Sequence, residues 1–198
     1  MREIEFYLNK FLVNENVLCP RPETEDIVEL FIEIVKSVNR IIEIGTGSAA
    51  LIITLANLYP KAKLVATDIS EAALEVAGKN SKKYGVNLEL IRTNLLDGIA
   101  TDGSDILVAN LPYLSKNSKY LIKRFSNGFN EPDLALYGGK TGLELIYRLF
   151  DYLKKINTFP KYVFIESDIW QQPFITDKAL SSGYRLIRQY RLITVFAH

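Results

Sequence analysis

Arg40-Ile41-Ile42-Glu43-Ile44-Gly45-Thr46-Gly47-Ser48-Ala49 is the stretch on which the reading of the chain turns. Arg40 to Ile44 is short and rich in isoleucine, the composition of a buried strand. Two glycines follow at once, residues that let a backbone turn sharply and approach a ligand closely. From Ala49 to Leu58 the chain is apolar nearly all round, which predicts a buried helix. Strand, glycine turn and helix open a βαβ unit. Lys63 to Thr67 continues it as a second strand. Ser70 to Tyr84 follows as a helix with Ser70 at its N-cap.

Outward from this unit the pattern repeats. Leu88 to Arg92, Asp105 to Ala109 and Tyr162 to Glu166 read as strands. Thr141-Gly142-Leu143-Glu144 reads as a capping box opening a helix to about Ile156. A helix near Gln172 to Ser181 leads, after Gly183, into two β-rich stretches expected to pair at the sheet edge. Upstream, Ile27, Leu30, Phe31, Ile34, Val35 and Val38 recur at helical spacing, which predicts a helix from Thr24 to Val38. Ile4, Phe6, Phe11 and Val13 alternate as in a short hairpin, and Pro20 and Pro22 break the loop after it. The whole predicts an α/β fold: an open, mostly parallel seven-stranded sheet with helices on both faces, preceded by a short N-terminal hairpin. Residues 1–22 form the hairpin and its loop, and residues 23–198 the domain.

Composition narrows the chemistry. The 198 residues are 48% hydrophobic and 24% charged, an ordinary globular profile. No apolar run approaches the roughly 18 residues that cross a bilayer. Met1 to Asn9 has no apolar core of a signal peptide, so a cytoplasmic protein with no membrane partner is expected. The net charge of +1 gives no push toward nucleic acid. Cys19 is the only cysteine and His198 the only histidine. A Ser-His-Asp triad, a Cys-His pair and a metal site built on His or Cys are therefore unavailable, and no metal is expected. The reaction must need little proton shuttling by imidazole, and transfer of a methyl group from a sulfonium meets that limit.

On such sheets ligands sit at the carboxyl ends of the strands. Asp68 ends the second strand, 21 positions after Gly47, where a carboxylate can accept hydrogen bonds from ribose hydroxyls. Gly45-x-Gly47-x-x-Ala50 also fits a dinucleotide fingerprint. Glu43, two residues before the first glycine, resembles the start of the methyltransferase glycine motif and so favours S-adenosylmethionine. So does the tetrad Asn110-Leu111-Pro112-Tyr113 after a later strand, for which hydride transfer has no obvious use. The tetrad suits a planar nitrogen nucleophile. The Asn110 side-chain oxygen and the Leu111 carbonyl can accept from its N–H groups. Pro112 biases Leu111 toward extended dihedrals. Tyr113 offers a flat face for an amide, a base or a sulfonium.

With these residues in place the chain resembles the HemK/PrmC-type N5-glutamine methyltransferases that modify peptide chain release factors. Glu5-Phe6-Tyr7, Phe11-x-Val13 and Val17-Leu18-Cys19-Pro20-Arg21-Pro22-Glu23-Thr24-Glu25 are similar to that family's approach to its catalytic domain. Gly45-Thr46-Gly47-Ser48 resembles its cofactor loop. Asp68-Ile69-Ser70 with Ala73-Leu74 and Ala77 resembles its second motif. Asn110-Leu111-Pro112-Tyr113 stands where the family has Asn-Pro-Pro-Tyr. Glu131-Pro132, Ala135-Leu136, Gly138-Gly139 and Gly142-Leu143 are similar to its closing motif. The Pro-Arg-Pro-Glu-Thr-Glu stretch is the most specific of these.

The resemblance implies a class I methyltransferase (Rossmann-like) fold, S-adenosylmethionine as cofactor and a release factor as protein substrate, hence protein methylation in translation termination. It implies cofactor contacts at Glu43, Gly45, Thr46, Gly47, Ser48, Ala49, Asp68, Ile69, Asn94, Leu95 and Asn110. Catalytic contacts fall to Asn110, Leu111, Pro112 and Tyr113. Ala49 replaces the loop's third glycine, Leu111 the first proline of the tetrad, and Asn94 an acidic residue. The family's N-terminal helical docking domain is not seen, which leaves room for a separate docking or activator protein. An adenine N6 methyltransferase on DNA or RNA, a binding module with weakened catalysis and a nicotinamide enzyme remain as alternatives. Arg21 and Glu23 either close over the cofactor or fix the loop as an ion pair. Cys19 is expected to be a buried thiol, and Trp170 to serve packing.

Overall fold

In the computed structural model, which describes residues 1–116 and 131–198, the isoleucine-rich run forms the middle of a seven-stranded sheet. The hairpin comes first, β1 (Arg2–Phe6) paired with β2 (Asn9–Val13). A 3-10 turn at Pro22–Thr24 leads into α1 (Glu25–Ile34). Then follow β3 (Arg40–Ile44), α2 (Ala50–Leu58), β4 (Lys63–Asp68), α3 (Glu71–Tyr84), β5 (Glu89–Arg92) and β6 (Asp105–Ala109). Beyond them lie β7 (Leu114–Ser115), α4 (Asp133–Leu136), β8 (Tyr137–Gly139), α5 (Glu144–Ile156) and β9 (Tyr162–Glu166). The chain ends with α6 (Gln172–Ser181), β10 (Arg185–Tyr190) and β11 (Ile193–Ala197).

The strand order is β10-β11-β9-β6-β3-β4-β5. Strands β3, β4, β5, β6 and β9 are parallel; β11 is antiparallel to both β9 and β10. The order reverses between β3 and β6, the switch point at which open α/β sheets bind ligands. Arg40 is opposite Asp105 in the register, and its guanidinium grips that buried carboxylate at 2.7 and 2.5 Å. The pair fixes the lower end of the central strands with a two-point contact.

Alternation along the strands divides the core. Ile41, Ala66, Ile106, Val108 and Phe164 face the hairpin, α1 and α2. Ile42, Ile44, Leu107, Ala109, Val163 and Ile165 face α5 and α6. Each strand thereby buries both faces, as parallel strands do. The hairpin is held by Glu25, Lys83 and Tyr84 at its outer parts and by one buried side chain within. Asn80 of α3 accepts from the Leu12 N–H at 2.8 Å and donates to the Leu12 and Ser48 carbonyls at 2.9 and 2.8 Å. It thus joins hairpin, helix and glycine turn in a site closed to water.

Most predicted elements stand within a residue of their expected ends. Ser70 caps α3 by accepting from the Ala73 N–H at 3.2 Å. Glu144 accepts from the N–H groups of Thr141 and Gly142 at 3.0 and 2.9 Å, the returning half of the expected capping box. Three boundaries differ. The helix expected to open with Thr141 as its cap begins at Glu144, with Leu143 at the N-cap. The first helix stops at Ile34 because Val35 is already extended, and the Tyr59 hydroxyl donates to the Val35 carbonyl at 3.0 Å. Ala49 lies outside the second helix, in the left-handed region at φ 61°. The two-stranded pair of β7 and β8 is new; strands of two and three residues are too short for periodicity to show.

Asn80→Ala should cost about 2 to 4 kcal/mol, because it strands three buried backbone groups at once. Denaturant unfolding measures the loss, and hydrogen exchange should rise first at the Leu12 amide.

Candidate active site at the carboxyl edge of the sheet

Register builds the site. Ile44 is level with Thr67 on one side and Ala109 on the other, and Ala109 is level with Ile165. The next layer up is therefore Asp68, Gly45, Asn110 and Glu166, side by side. By alternation Glu43, Asp68, Asn110 and Glu166 all turn to the face of the hairpin and α1. Four polar groups from four strands meet at one edge because their positions share a phase.

The glycine turn is tied down by its neighbour strand. The N–H groups of Gly45 and Thr46 donate to the Thr67 carbonyl at 2.8 and 2.9 Å. Asp68 accepts from the Gly47 N–H at 3.0 Å and the Ser70 N–H at 2.9 Å. Gly45 is at φ 71°, and a Cβ there would sit 3.1 Å from the Leu111 side chain. Leu111 is buried against this turn, so the first glycine and the tetrad fit one another.

A cavity of about 420 Å³ opens over these residues. Glu43, Gly45, Thr46, Gly47, Ser48, Asp68, Ile69, Asn94, Leu95, Asn110, Leu111 and Pro112 line it. Ala49 and Tyr113 do not. The Ala49 methyl is buried away from the cavity. The Tyr113 hydroxyl turns inward and donates to Glu166 at 3.2 Å. Burial and the Glu166 charge raise its pKa above the ordinary phenol value.

Glu43 is buried, and the Thr46 hydroxyl donates to it. Burial, against the Thr46 bond and with the nearby Asp68 charge, pushes its carboxyl up to about 8. Glu166 is 1% exposed and accepts from the Thr24 hydroxyl at 2.7 Å. Burial is again the main cause that lifts it to about 7. Asn110 Nδ2 donates to Thr24 Oγ1 at 2.9 Å.

Several of these contacts were not read from the sequence. Thr24 lay in the most specific stretch, yet nothing in its spacing announces a hydroxyl aimed at Asn110. Glu166 could have been found: it is the lone acid ending an apolar strand, in phase with Asn110. Gln171 donates to the carbonyls of Tyr113 and Thr141 at 2.9 and 3.4 Å and carries no sequence signal. Arg21 pairs with Glu131 at 2.6 Å, and Glu131 also accepts from the Cys19 N–H at 2.9 Å. Of the two readings left open for Arg21, the structure shows an ion pair that fixes the loop, made with Glu131 and not with Glu23. Both Arg21 and Thr24 line the cavity. Cys19 is buried as expected, and burial pushes its thiol up. Trp170 packs edge-on against Phe174 and is 51% exposed.

Glycines support the tetrad from below. A Cβ on Gly138 would lie 2.1 Å from the Pro112 carbonyl oxygen. One on Gly142, at φ 86°, would lie 2.0 Å from that of Tyr113. Neither position has room for a side chain.

Sheet order and switch-point crevice are those of a class I, S-adenosylmethionine-dependent methyltransferase. Residues 21–128 match the methyltransferase small domain. The chain is 36% identical to the release factor glutamine methyltransferase of Lactococcus lactis, over 96% of this chain and 73% of that protein. It is 32% identical to the release factor glutamine methyltransferase of Enterococcus faecalis, over 92% of this chain and 65% of that protein. The fold matches the magnesium protoporphyrin IX methyltransferase of Synechocystis, solved with bound S-adenosylmethionine, with a TM-score of 0.58 at 14% identity over 89% of this chain and 78% of that one. The chain belongs to the release factor glutamine methyltransferase family.

The cavity suits the family's cofactor. Its volume is that of a small-molecule site, and Glu43 and Asp68 bring hydrogen-bonding carboxyl groups to it. Ile69 and Leu95 give it apolar flanks, and the space above Gly47 is open.

The raised carboxyls set a pH dependence. The folded chain holds protons on Glu43 and Glu166 that an unfolded chain releases near 4.5. Stability should therefore fall as pH rises from about 4.5 to about 8. Glu43→Gln should flatten the slope above pH 7, as measured by thermal melts across that range.

Proposed function

We propose that this chain methylates the N5 side-chain amide of a glutamine in a peptide chain release factor, and so acts in the cytoplasm on the machinery of translation termination. The observation that carries this reading is the placement of Asn110. Its side chain lines the cofactor cavity, one strand from the glycine turn, with its amide nitrogen held by Thr24. Its oxygen is left to accept from a substrate N–H.

When bound, S-adenosylmethionine supplies an electrophilic methyl group on a sulfonium. In this reading Glu43, Thr46, Gly47, Ser48 and Asp68 hold the cofactor's polar parts, and Ile69, Asn94 and Leu95 its base. Asn110 and the Leu111 carbonyl accept the two N–H bonds of the glutamine amide. A free amide spreads its nitrogen lone pair into the carbonyl. Two acceptors in the amide plane hold the group where that nitrogen can attack, and strengthen as it gains positive charge. Gln171 and the glycines beneath Pro112 and Tyr113 fix the backbone that follows the acceptors.

The test is incubation with labelled S-adenosylmethionine and an unmethylated release factor, followed by mass mapping. A methyl group on a glutamine side chain is the expected result. Label on nucleic acid, and none on the release factor, would sink the reading. Asn110→Ala should lower kcat by about 10²-fold, since losing one preorganised polar contact costs about 3 kcal/mol. Asp68→Ala should instead weaken cofactor binding by about 2 to 5 kcal/mol, read by calorimetry.

A further inference from the structure

The buried carboxyl of Glu166 has no part in the chemistry so far. It does not line the cavity, so it cannot touch a substrate. It stands level with Asn110 on the neighbouring strand, and Thr24 lies between the two groups. Resting on the glutamine reading of the site, we infer that Glu166 and Thr24 form a hydrogen-bond relay that fixes which way round the Asn110 amide stands. Both are positioning residues for methyl transfer.

The two ends of an asparagine amide are nearly the same shape, so packing alone does not choose between them. Hydrogen-bond direction does. A carboxylate only accepts, and a hydroxyl has one proton. The Thr24 proton is committed to Glu166 Oε2 at 2.7 Å. Thr24 Oγ1 can then only accept, so Asn110 must present its NH2 to it, at 2.9 Å, and the same NH2 group also bonds the Glu166 carboxylate directly. The Asn110 oxygen is forced outward to the cavity. Turned the other way, Asn110 would offer an N–H donor to a substrate that itself brings N–H donors, and the amide could not be held. The Tyr113 hydroxyl, donating to Glu166 Oε1 at 3.2 Å, gives the second carboxylate oxygen a donor as well.

The relay reads the charge of Glu166. Protonated, Glu166 can donate to Thr24, Thr24 can donate to Asn110, and the oxygen is free to turn inward. The groups that face this carboxyl are Thr24 and Glu23 on the 3-10 turn, and Asn110 and Tyr113 after β6. Asp168, beyond β9, adds its charge to the field at Tyr113. Burial and the Glu23 charge hold the proton on up to about 7. The competent form is the carboxylate, so kcat falls as pH drops through that value.

The experiment compares wild type, Thr24→Val, Thr24→Ser, Glu166→Gln and Asn110→Ala. It uses an unmethylated release factor as substrate, with substrate and S-adenosylmethionine both saturating, so that the profile reports groups of the bound complex. Thr24→Val keeps the shape and removes the hydroxyl. It should lower kcat about tenfold, the worth of one lost hydrogen bond. Thr24→Ser keeps the hydroxyl and should restore kcat. Wild type and Thr24→Ser should lose activity below about pH 7, and Glu166→Gln should be slower with that acid limb gone. In the cofactor-free protein, the Asn110 side-chain NH2 protons should exchange slowly by NMR in wild type and Thr24→Ser, and fast in Thr24→Val. If Glu166→Gln fails to fold, the Thr24 pair still decides. Wild-type kcat and slow NH2 exchange in Thr24→Val, with Asn110→Ala crippled, would overturn the relay and leave the glutamine reading intact. No methyl on glutamine from wild type would overturn both.

Discussion

The parallel pairing of β3 with β4 on one side and β6 on the other is the constraint from which the site follows. It brings four chain crossings to one height. A shift of one residue in any strand would turn its polar residue to the opposite face and put an apolar one in its place. The Arg40–Asp105 grip at the far end of the same strands resists that shift. Catalytic geometry at the upper edge is thus secured by an ion pair at the lower edge, the full length of the strand away.

The architecture was legible because long-range order here follows local pattern. Buried parallel strands read as short apolar runs, and helices between them as longer periodic ones. The glycine turn, Asp68 and the tetrad were legible because each sits where a strand ends. What was not legible depends on contacts between distant segments. Thr24 meets Glu166 across 142 residues of chain, and Arg21 meets Glu131 across 110. No local pattern encodes a partner that far away. The first helix was read too long for a similar reason. Val35 and Val38 continue the apolar spacing, yet a tyrosine hydroxyl from another element takes the carbonyl that a further turn would have used.

Ala49 shows a local rule yielding to a tertiary one. The left-handed region costs a residue with a Cβ about 1 to 2 kcal/mol. A glycine would sit there more easily, and the resemblance predicts one. The alanine is held because its carbonyl starts the second helix, accepting from the Ile53 N–H, and its N–H closes the turn onto Thr46. Its methyl is fully buried in the core shared with the hairpin, which returns part of the strain as packing. The substitution therefore affects how firmly the turn is held and leaves the cavity wall unchanged.

The contacts at Gly138 and Gly142 bear on how far the tetrad can vary through evolution. The carbonyls of Pro112 and Tyr113 rest directly on another stretch of backbone, with no side chain between. A carbonyl seated in this way takes its direction from main chain, whatever side chain its own or the neighbouring residue carries. The Leu111 carbonyl has no such seat, so leucine takes the place of the first proline at the cost of the ring's rigidity. The glycines beneath have no such freedom, because any mutation there must move the carbonyl itself. Sequence variation at this edge of the protein is unequal by construction: leucine can stand at position 111, while Gly138 and Gly142 have no room for any side chain.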